Sequence, residues 1–250
     1  MEKRILTALL TLFVALPHAV AQSDDFGMWY SVGAEKKLST KWSVGAEGEF
    51  RTRNNSKTIS RFSLGVSGDY KLTKWLKASA AYTLLDDNNQ EDVSYKADGV
   101  TFNKWTPSYY GLRHRFTLAL TGSVKLLQQR LKLSLREKWQ YTYRPSVDGK
   151  KYDIDNDEWD PVKAKHKHIL RSRLQAEYNI PHWKFDPFAS AEMFNGKGGV
   201  QKMRYTVGVS YTYNKKHDFA LAYRYQWLND DDDDNEANSH IVDLSYKFKF

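Results

Sequence analysis

From residue 25 onward, apolar and polar side chains alternate with a period of two, the pattern of a strand whose two faces meet different media. Phe26, Met28, Tyr30, Val32 and Ala34 fall on one face of the first segment, with Gly27, Ser31, Gly33 and Glu35 on the other. In the next, Trp42, Val44, Ala46 and Phe50 oppose Ser43, Gly45, Glu47, Glu49 and Arg51. The same rhythm runs through 61–70, 76–84, 110–124, 131–143, 170–178, 187–194, 204–213, 219–227 and 240–250, which makes eleven segments. His114 and Glu137 break the rule by falling on the apolar face. Two explanations are open: a bulge that shifts the register, or side chains lying near an interface.

The connections add an independent signal. Short, basic ones at 36–41, 71–74, 125–130, 179–184 and 214–218 are interleaved with longer ones near 86–106, 144–167 and 228–239. Transmembrane barrels have short turns at one end and long loops at the other, whereas a soluble sandwich has no reason to alternate in this way. The expected fold is therefore all-β: a transmembrane antiparallel up-and-down β-barrel. Bacterial barrels close with an even number of strands, so eleven segments predict about 10–12 strands with 12 favoured. Parity also leaves residue 26 at the long-loop end, where an even barrel would not put it.

Composition fits this arrangement. Mean hydropathy is −0.68, yet aromatic residues make up 14%, including 16 Tyr and 8 Trp. Strands that show only alternate positions to lipid keep mean hydropathy low, and aromatic rings gather where the wall meets the headgroups. The N-terminus reads as a cleaved secretory signal over residues 1–21. Lys3 and Arg4 precede an apolar stretch from Ile5 to Leu16, and Ala19-Val20-Ala21 supplies a cleavage site before Gln22. Residues 22–250 then form one barrel domain. There is no cysteine, so disulfides contribute nothing to stability. The formal net charge of +8 does not point to nucleic acid, because the basic residues sit on alternate strand positions and in turns rather than in one patch.

The chain ends Tyr246-Lys247-Phe248-Lys249-Phe250, which resembles the closing strand of Gram-negative outer-membrane barrels. That resemblance implies recognition of the C-terminal strand by the barrel-assembly machinery, residence in the cell outer membrane, and contact with outer-membrane lipid. Residues 24–29 (DDFGMW), 33–38 (GAEKKL), 47–51 (EGEFR), 113–116 (RHRF) and 223–225 (YRY) are similar to the uncharacterised bacterial family called domain of unknown function 2490. The similarity extends over essentially all of the chain past the signal. It implies an outer-membrane barrel and assigns no chemistry.

The inward face is rich in charge. Arg61, Arg113, Arg115, Arg136, Lys138, Arg171, Arg173, Arg204 and Arg224 stand against Glu47, Glu49, Asp69, Glu177, Glu192 and Asp243. Two functions follow from that face. Either the charges pair and close a structural barrel, or their positive excess makes a small passive pore that prefers small anionic solutes. The acidic loops raise metal binding, with Asp153, Asp155, Asp157, Asp231 and Asp233 as candidate ligands for Ca²⁺ or Mg²⁺ and no other cofactor expected. The run at 153–158 opens like an EF-hand loop, but Glu158 stands where that turn requires glycine. An outer-membrane lipid-modifying enzyme is the third reading, and it lacks a catalytic set. Ser239 and His240 are adjacent and so point to opposite faces of a strand, His114 has no serine beside it, and His166 with His168 is half a metal site.

Overall fold

The computed structural model describes residues 24–229 and 237–250. The expected signal segment and the candidate ligands Asp231 and Asp233 lie outside the described residues. Fifteen strands follow in chain order among the described residues. They are β1 (Asp25–Lys37), β2 (Trp42–Arg53), β3 (Thr58–Lys71), β4 (Leu76–Asn89), β5 (Asp92–Tyr95), β6 (Phe102–Thr106), β7 (Tyr109–Leu126) and β8 (Leu131–Arg144). Then come β9 (Val147–Asp153), β10 (Glu158–Val162), β11 (Lys165–Tyr178), β12 (Phe185–Gly196), β13 (Gly199–Tyr213), β14 (His217–Leu228) and β15 (Ser239–Lys249).

Eleven of these strands close a barrel in the order β1-β15-β14-β13-β12-β11-β8-β7-β4-β3-β2. Every neighbouring pair is antiparallel except β1 and β15, which run parallel from Asp25↔Ser239 to Glu35↔Lys249. Eleven lies inside the expected range. The preference for twelve is corrected, because the even-number rule assumes antiparallel closure and one parallel seam accommodates an odd count. The same seam explains why the start of β1 stands at the long-loop end, beside the start of β15.

The wall obeys the alternation read from sequence. Val32, Val44, Leu64, Val66, Leu118, Leu120, Leu135, Leu174, Leu221 and Leu244 are exposed on the outside. Aromatic clusters flank this band at both ends. Trp42–Tyr70 and Phe219–Tyr246 lie toward the short turns, and Tyr30–Phe50, Tyr82–Phe116 and Tyr225–His240 toward the long connections. A continuous apolar exterior between two aromatic girdles is the surface of a barrel that crosses a bilayer. No helix among the described residues is long and apolar enough to cross a membrane.

The short turns use left-handed backbone where the hairpins need it. Asn214 and Lys215 have φ of 48° and 58°, as expected of a type I′ hairpin whose twist matches its strands. Inside the barrel, Gly208 lies against its neighbours. A Cβ there would stand 2.7 Å from the Leu221 carbonyl oxygen and 2.7 Å from the Phe188 ring. Gly208→Val is therefore expected to destabilise the barrel by about 1–3 kcal/mol through overpacking. A lowered urea midpoint in lipid vesicles would report it, and an unchanged midpoint would show that both the β14 backbone at Leu221 and the Phe188 ring give way at little cost.

Two of the long connections are folded into hairpins. The β4–β7 connection forms the hairpin β5–β6, and the β8–β11 connection forms the hairpin β9–β10. The two join through Lys104↔Asp153 and Trp105↔Tyr152 into a four-stranded sheet ordered β10-β9-β6-β5. This cap stands at the end of the barrel opposite the C-terminus.

Candidate functional site

The lumen is organised around carboxylates on the inward faces of β4, β12, β2 and β15. Glu192 on β12 is buried and holds three arginines. Its Oε1 accepts from Arg136 Nη2 at 2.7 Å, both of its oxygens accept from Arg171 Nη2 at 3.1 and 3.0 Å, and Arg204 Nη1 lies 3.7 Å from Oε2. Asp87 on β4 takes Arg61 Nη2 at 2.9 Å and Arg113 Nε at 3.0 Å. Arg51 Nε lies 2.7 Å from Glu49, and Arg224 is hydrogen-bonded to Asp243. Neutral acceptors take further guanidinium donors: Gln140 from Arg171 at 3.1 Å, Gln226 from Arg204 at 2.6 Å and Asn89 from Arg113 at 2.7 Å.

Aromatic rings complete the packing. The Arg51 guanidinium lies 3.7 Å from the centre of the Trp29 ring, with Arg204 at 4.8 Å and Arg224 at 5.3 Å. Phe194 receives Arg171 at 4.4 Å and Arg204 at 4.9 Å. Guanidinium groups are weakly hydrated and stack on ring faces, so each ring lets two or more cations sit close without a carboxylate for each.

Cations still outnumber acids on one wall. Register places Arg136 opposite Arg173 and Lys138 opposite Arg171, so β8 and β11 present a block of four positive side chains to the lumen. Like charges directly opposite are unfavourable unless something offsets them. Glu192 serves two of the four. Among the described residues no carboxylate lies within ion-pairing distance of Arg173, of Lys138 or of neighbouring Arg115, whose Nε donates to Thr142 Oγ1 at 3.2 Å. Charges that are neither paired nor hydrated in such an interior would cost several kcal/mol. The block therefore needs water or mobile anions around it.

A cavity of about 1060 Å³ lies above this layer, between the barrel mouth and the cap. Arg51, Arg53, Arg61, Arg113, Arg144 and Lys165 line it from the wall, and Lys104, Lys151 and Lys163 from the cap and its connections. Its acids are Asp25, Asp87, Asp92 and Asp160. The vestibule thus continues the positive bias of the lumen.

The residues singled out from sequence fall as follows. The pairings and register turn Arg61, Arg113, Arg115, Arg136, Arg171, Arg173, Arg204, Arg224, Glu47, Glu49 and Asp243 inward together in the upper and middle lumen. Glu177 lies nearer the short turns, with Lys132 Nζ 3.4 Å from its Oε2. Asp87, expected in an acidic loop, belongs to β4 and is a hub of the lumen. Trp29 and Phe194 were not singled out. Trp29 shares the inward phase of Gly27 and Ser31, a signal available in the sequence.

The acidic loop at 153–158 is engaged with cations and hydroxyls. Lys104 Nζ sits 2.6 Å from Asp153 and 3.1 Å from Asp160, Lys96 is paired with Asp155, and the Tyr152 hydroxyl donates to Asp157. Among the described residues no three His, Cys, Asp or Glu side chains gather as a metal site. The hydrogen bond from Lys104 holds the Asp153 carboxyl below its usual range, and the same carboxylate raises the Lys104 ammonium. At the tip of β5–β6, Asp98 is pushed down to about 2 by the Thr101 hydroxyl and by the Thr101 and Val100 amides. A depressed carboxyl stabilises its fold above the unfolded value of 3.8 and loses that contribution as pH falls toward 2. The β5–β6 tip is expected to loosen across that window, seen as faster amide exchange at Val100 and Thr101. Equal protection at pH 5 and pH 2, after correction for intrinsic rates, would contradict this.

The histidines belong to the outer wall. His114 Nδ1 is 2.8 Å from the Tyr82 hydroxyl and His166 Nδ1 is 2.6 Å from that of Tyr141. His168 packs on Tyr141 at 4.8 Å between ring centres. These side chains are members of the aromatic girdle. Ser239 donates to the Ala237 carbonyl while His240 meets Tyr223 on the outer face, so the two point apart.

Residues 26–237 match the family described as "Protein of unknown function (DUF2490)". No curated protein matches the chain. Among solved structures, the chain resembles the β domain of the Bordetella autotransporter Brka at 12% identity and a TM-score of 0.54, over 84% of this chain and 82% of that one. It also resembles the translocator domain of the autotransporter NalP from Neisseria meningitidis, at 11% identity and a TM-score of 0.50 over 90% of each chain. At these identities the likeness is one of fold, and the fold is a transmembrane-type β-barrel.

Proposed function

Because the chain belongs to the DUF2490 family of proteins of unknown function, its role has to be read from its own residues, and we propose that it is a small passive outer-membrane pore whose arginine-lined lumen favours anions. One observation carries the reading. The β8–β11 wall presents Arg136, Lys138, Arg171 and Arg173 to the lumen, and Glu192 is ion-paired with Arg136 and Arg171 alone among them. A positive ring in a wet lumen lowers the energy of a passing anion and raises that of a cation. The cation-rich vestibule concentrates anions at the entrance. Eight strands are just filled by side chains and larger barrels leave room, and eleven strands stand above that limit. On this reading the C-terminal strand ending at Phe250 faces the periplasm and is read by the assembly machinery, and the cap faces outward.

A second reading, a closed structural barrel, is favoured by Glu192 and Asp87, each of which ties two or more arginines across the wall. Single-channel recording of the refolded protein in a planar bilayer under a salt gradient separates the two. Discrete steps with a reversal potential of anion sign support the pore. A silent bilayer from protein that shows the heat-dependent gel shift of a folded barrel supports closure and sinks the pore.

A further inference from the structure

The basic short turns have no part in the lumen, and three of them form one edge of the barrel. Lys37-Leu38-Ser39 and Lys71-Leu72-Thr73 enter the β1–β2 and β3–β4 turns in the same way. In each, the leucine amide donates to the carbonyl four residues on, Trp42 in one turn and Leu76 in the other, both at 3.0 Å. The Ser39 and Thr73 hydroxyl oxygens accept from the amides of those same residues at 3.0 and 2.9 Å. The turns abut, because the Lys71 amide donates to the Lys41 carbonyl at 2.9 Å. The β7–β8 turn is next in line, with the Ser123 amide on the Trp75 carbonyl at 2.8 Å. No Asp or Glu falls in 36–42, 71–77 or 125–132. Lys36, Lys37, Lys41, Lys71, Lys74, Lys125 and Arg130 stand there, and among the described residues none has a carboxylate within ion-pairing distance. Leu38, Trp42, Leu72, Trp75, Leu126 and Leu127 are interleaved with them and exposed. The turns of the other wall differ. Residues 179–184 and 214–216 adjoin Asp186 and Asp218, and Lys249 there is paired with Asp218.

Above this edge, an apolar groove of about 870 Å³ crosses the outer face of the same strands. Val44, Ala46 and Val66 lie along it, Phe116 and Trp139 bound it on the β7–β8 side, and Phe250 bounds it beside β1. Lys36 lines the groove as well, at the end nearest the turns. We propose that the edge and the groove together bind one anionic phospholipid of the leaflet on the short-turn side, with its phosphate among the turn lysines and an acyl chain along the groove. Charge complementarity selects this occupant. Unpaired cations at a membrane surface attract anionic headgroups, lysine side chains reach along apolar surface toward that level, and tryptophan rings sit at it. A zwitterionic lipid fills the groove but brings its own ammonium to the lysines. An acidic protein offsets the lysines but leaves the groove unused. The inference rests on the barrel lying in a membrane and is independent of whether the lumen conducts.

Native mass spectrometry of the detergent-folded barrel reads the site, titrated with phosphatidylglycerol or with phosphatidylethanolamine carrying the same chains. One phosphatidylglycerol is expected to stay bound, at least about fivefold more tightly than phosphatidylethanolamine, the effect of a single lysine at an anionic surface. Raising the salt should shrink that preference, because the lysines are exposed to solvent. Lys36→Gln with Lys41→Gln and Lys74→Gln should weaken phosphatidylglycerol binding by about ten- to a hundredfold. Lys184→Gln with Lys215→Gln and Lys216→Gln removes as much charge from the other wall and should leave binding unchanged. Ala46→Trp, which fills the groove from its outward position between Ala34 and Val66, should weaken both lipids. The heat-dependent gel shift verifies that each variant is folded, and it is expected to be preserved because every change faces lipid or solvent. Equal affinity for the two lipids, equal loss in the two triple variants, or unchanged binding by Ala46→Trp would overturn the proposal. A parent protein without the gel shift would remove the membrane reading beneath it, and the proposal with it.

Discussion

Replacing Arg173 and Lys138 together by glutamate is expected to abolish the anion preference of the conducting barrel and to turn it toward cations. The pair is chosen because among the described residues neither side chain is ion-paired, so their removal orphans no carboxylate. Each new carboxylate would face a standing arginine across the strands, Arg136 in one case and Arg171 in the other. The variant should therefore fold at least as well as the parent. The charge of the constriction falls by four units. A single charge about 5 Å from a permeating ion is worth about 1 kcal/mol at an effective dielectric of about 60–80. A change of at least tenfold in the anion-to-cation permeability ratio follows, read as a displaced reversal potential. Conduction with unchanged selectivity would place the filter elsewhere, most directly in the vestibule at Arg53, Arg61 and Arg113.

The block on β8 and β11 also marks how far the sequence could be read. Strict alternation placed Arg136 and Lys138 on one strand and Arg171 and Arg173 on another, all facing inward, because period two is a local property of the chain. Which of them share an anion is non-local. Arg136 and Glu192 are separated by 56 residues and by the intervening strand β11. Alternation alone cannot align two strands that are not neighbours. The strand count was legible too, and the preference for twelve arose from a rule about closure that the parallel β1–β15 seam does not obey. The cap escaped for a different reason. β5 has four residues and β10 has five, too few for a period to register amid acidic residues. Asp87 was lost with it, because a carboxylate next to an acidic loop looks like more loop until Arg61 and Arg113 are seen to close on it.

Glu192→Gln isolates what the shared carboxylate contributes. It removes the charge that Arg136, Arg171 and Arg204 hold in common and leaves an amide of nearly the same size. Removing one partner of a buried ion pair costs about 3–5 kcal/mol, and the lower end is expected because the block beside it is hydrated. Urea unfolding in vesicles should register that loss as a lower midpoint. Asp243→Asn, which releases Arg224 alone, should lose less. The decisive comparison adds sulfate or phosphate and uses chloride at matched ionic strength as the reference. A doubly charged anion that pairs with the released arginines binds the folded state only, and stabilises it by about 2.7 kcal/mol at a hundred times its dissociation constant. Recovery of the variant, with little change in the parent, would mean that a free anion can replace the charge Glu192 supplies to its arginines. If conductance through the same variant then shows a stronger anion preference, the carboxylate that stabilises the barrel also sets how strongly its lumen attracts anions. Equal response to sulfate in both proteins would instead make Glu192 a structural tie with no bearing on permeation.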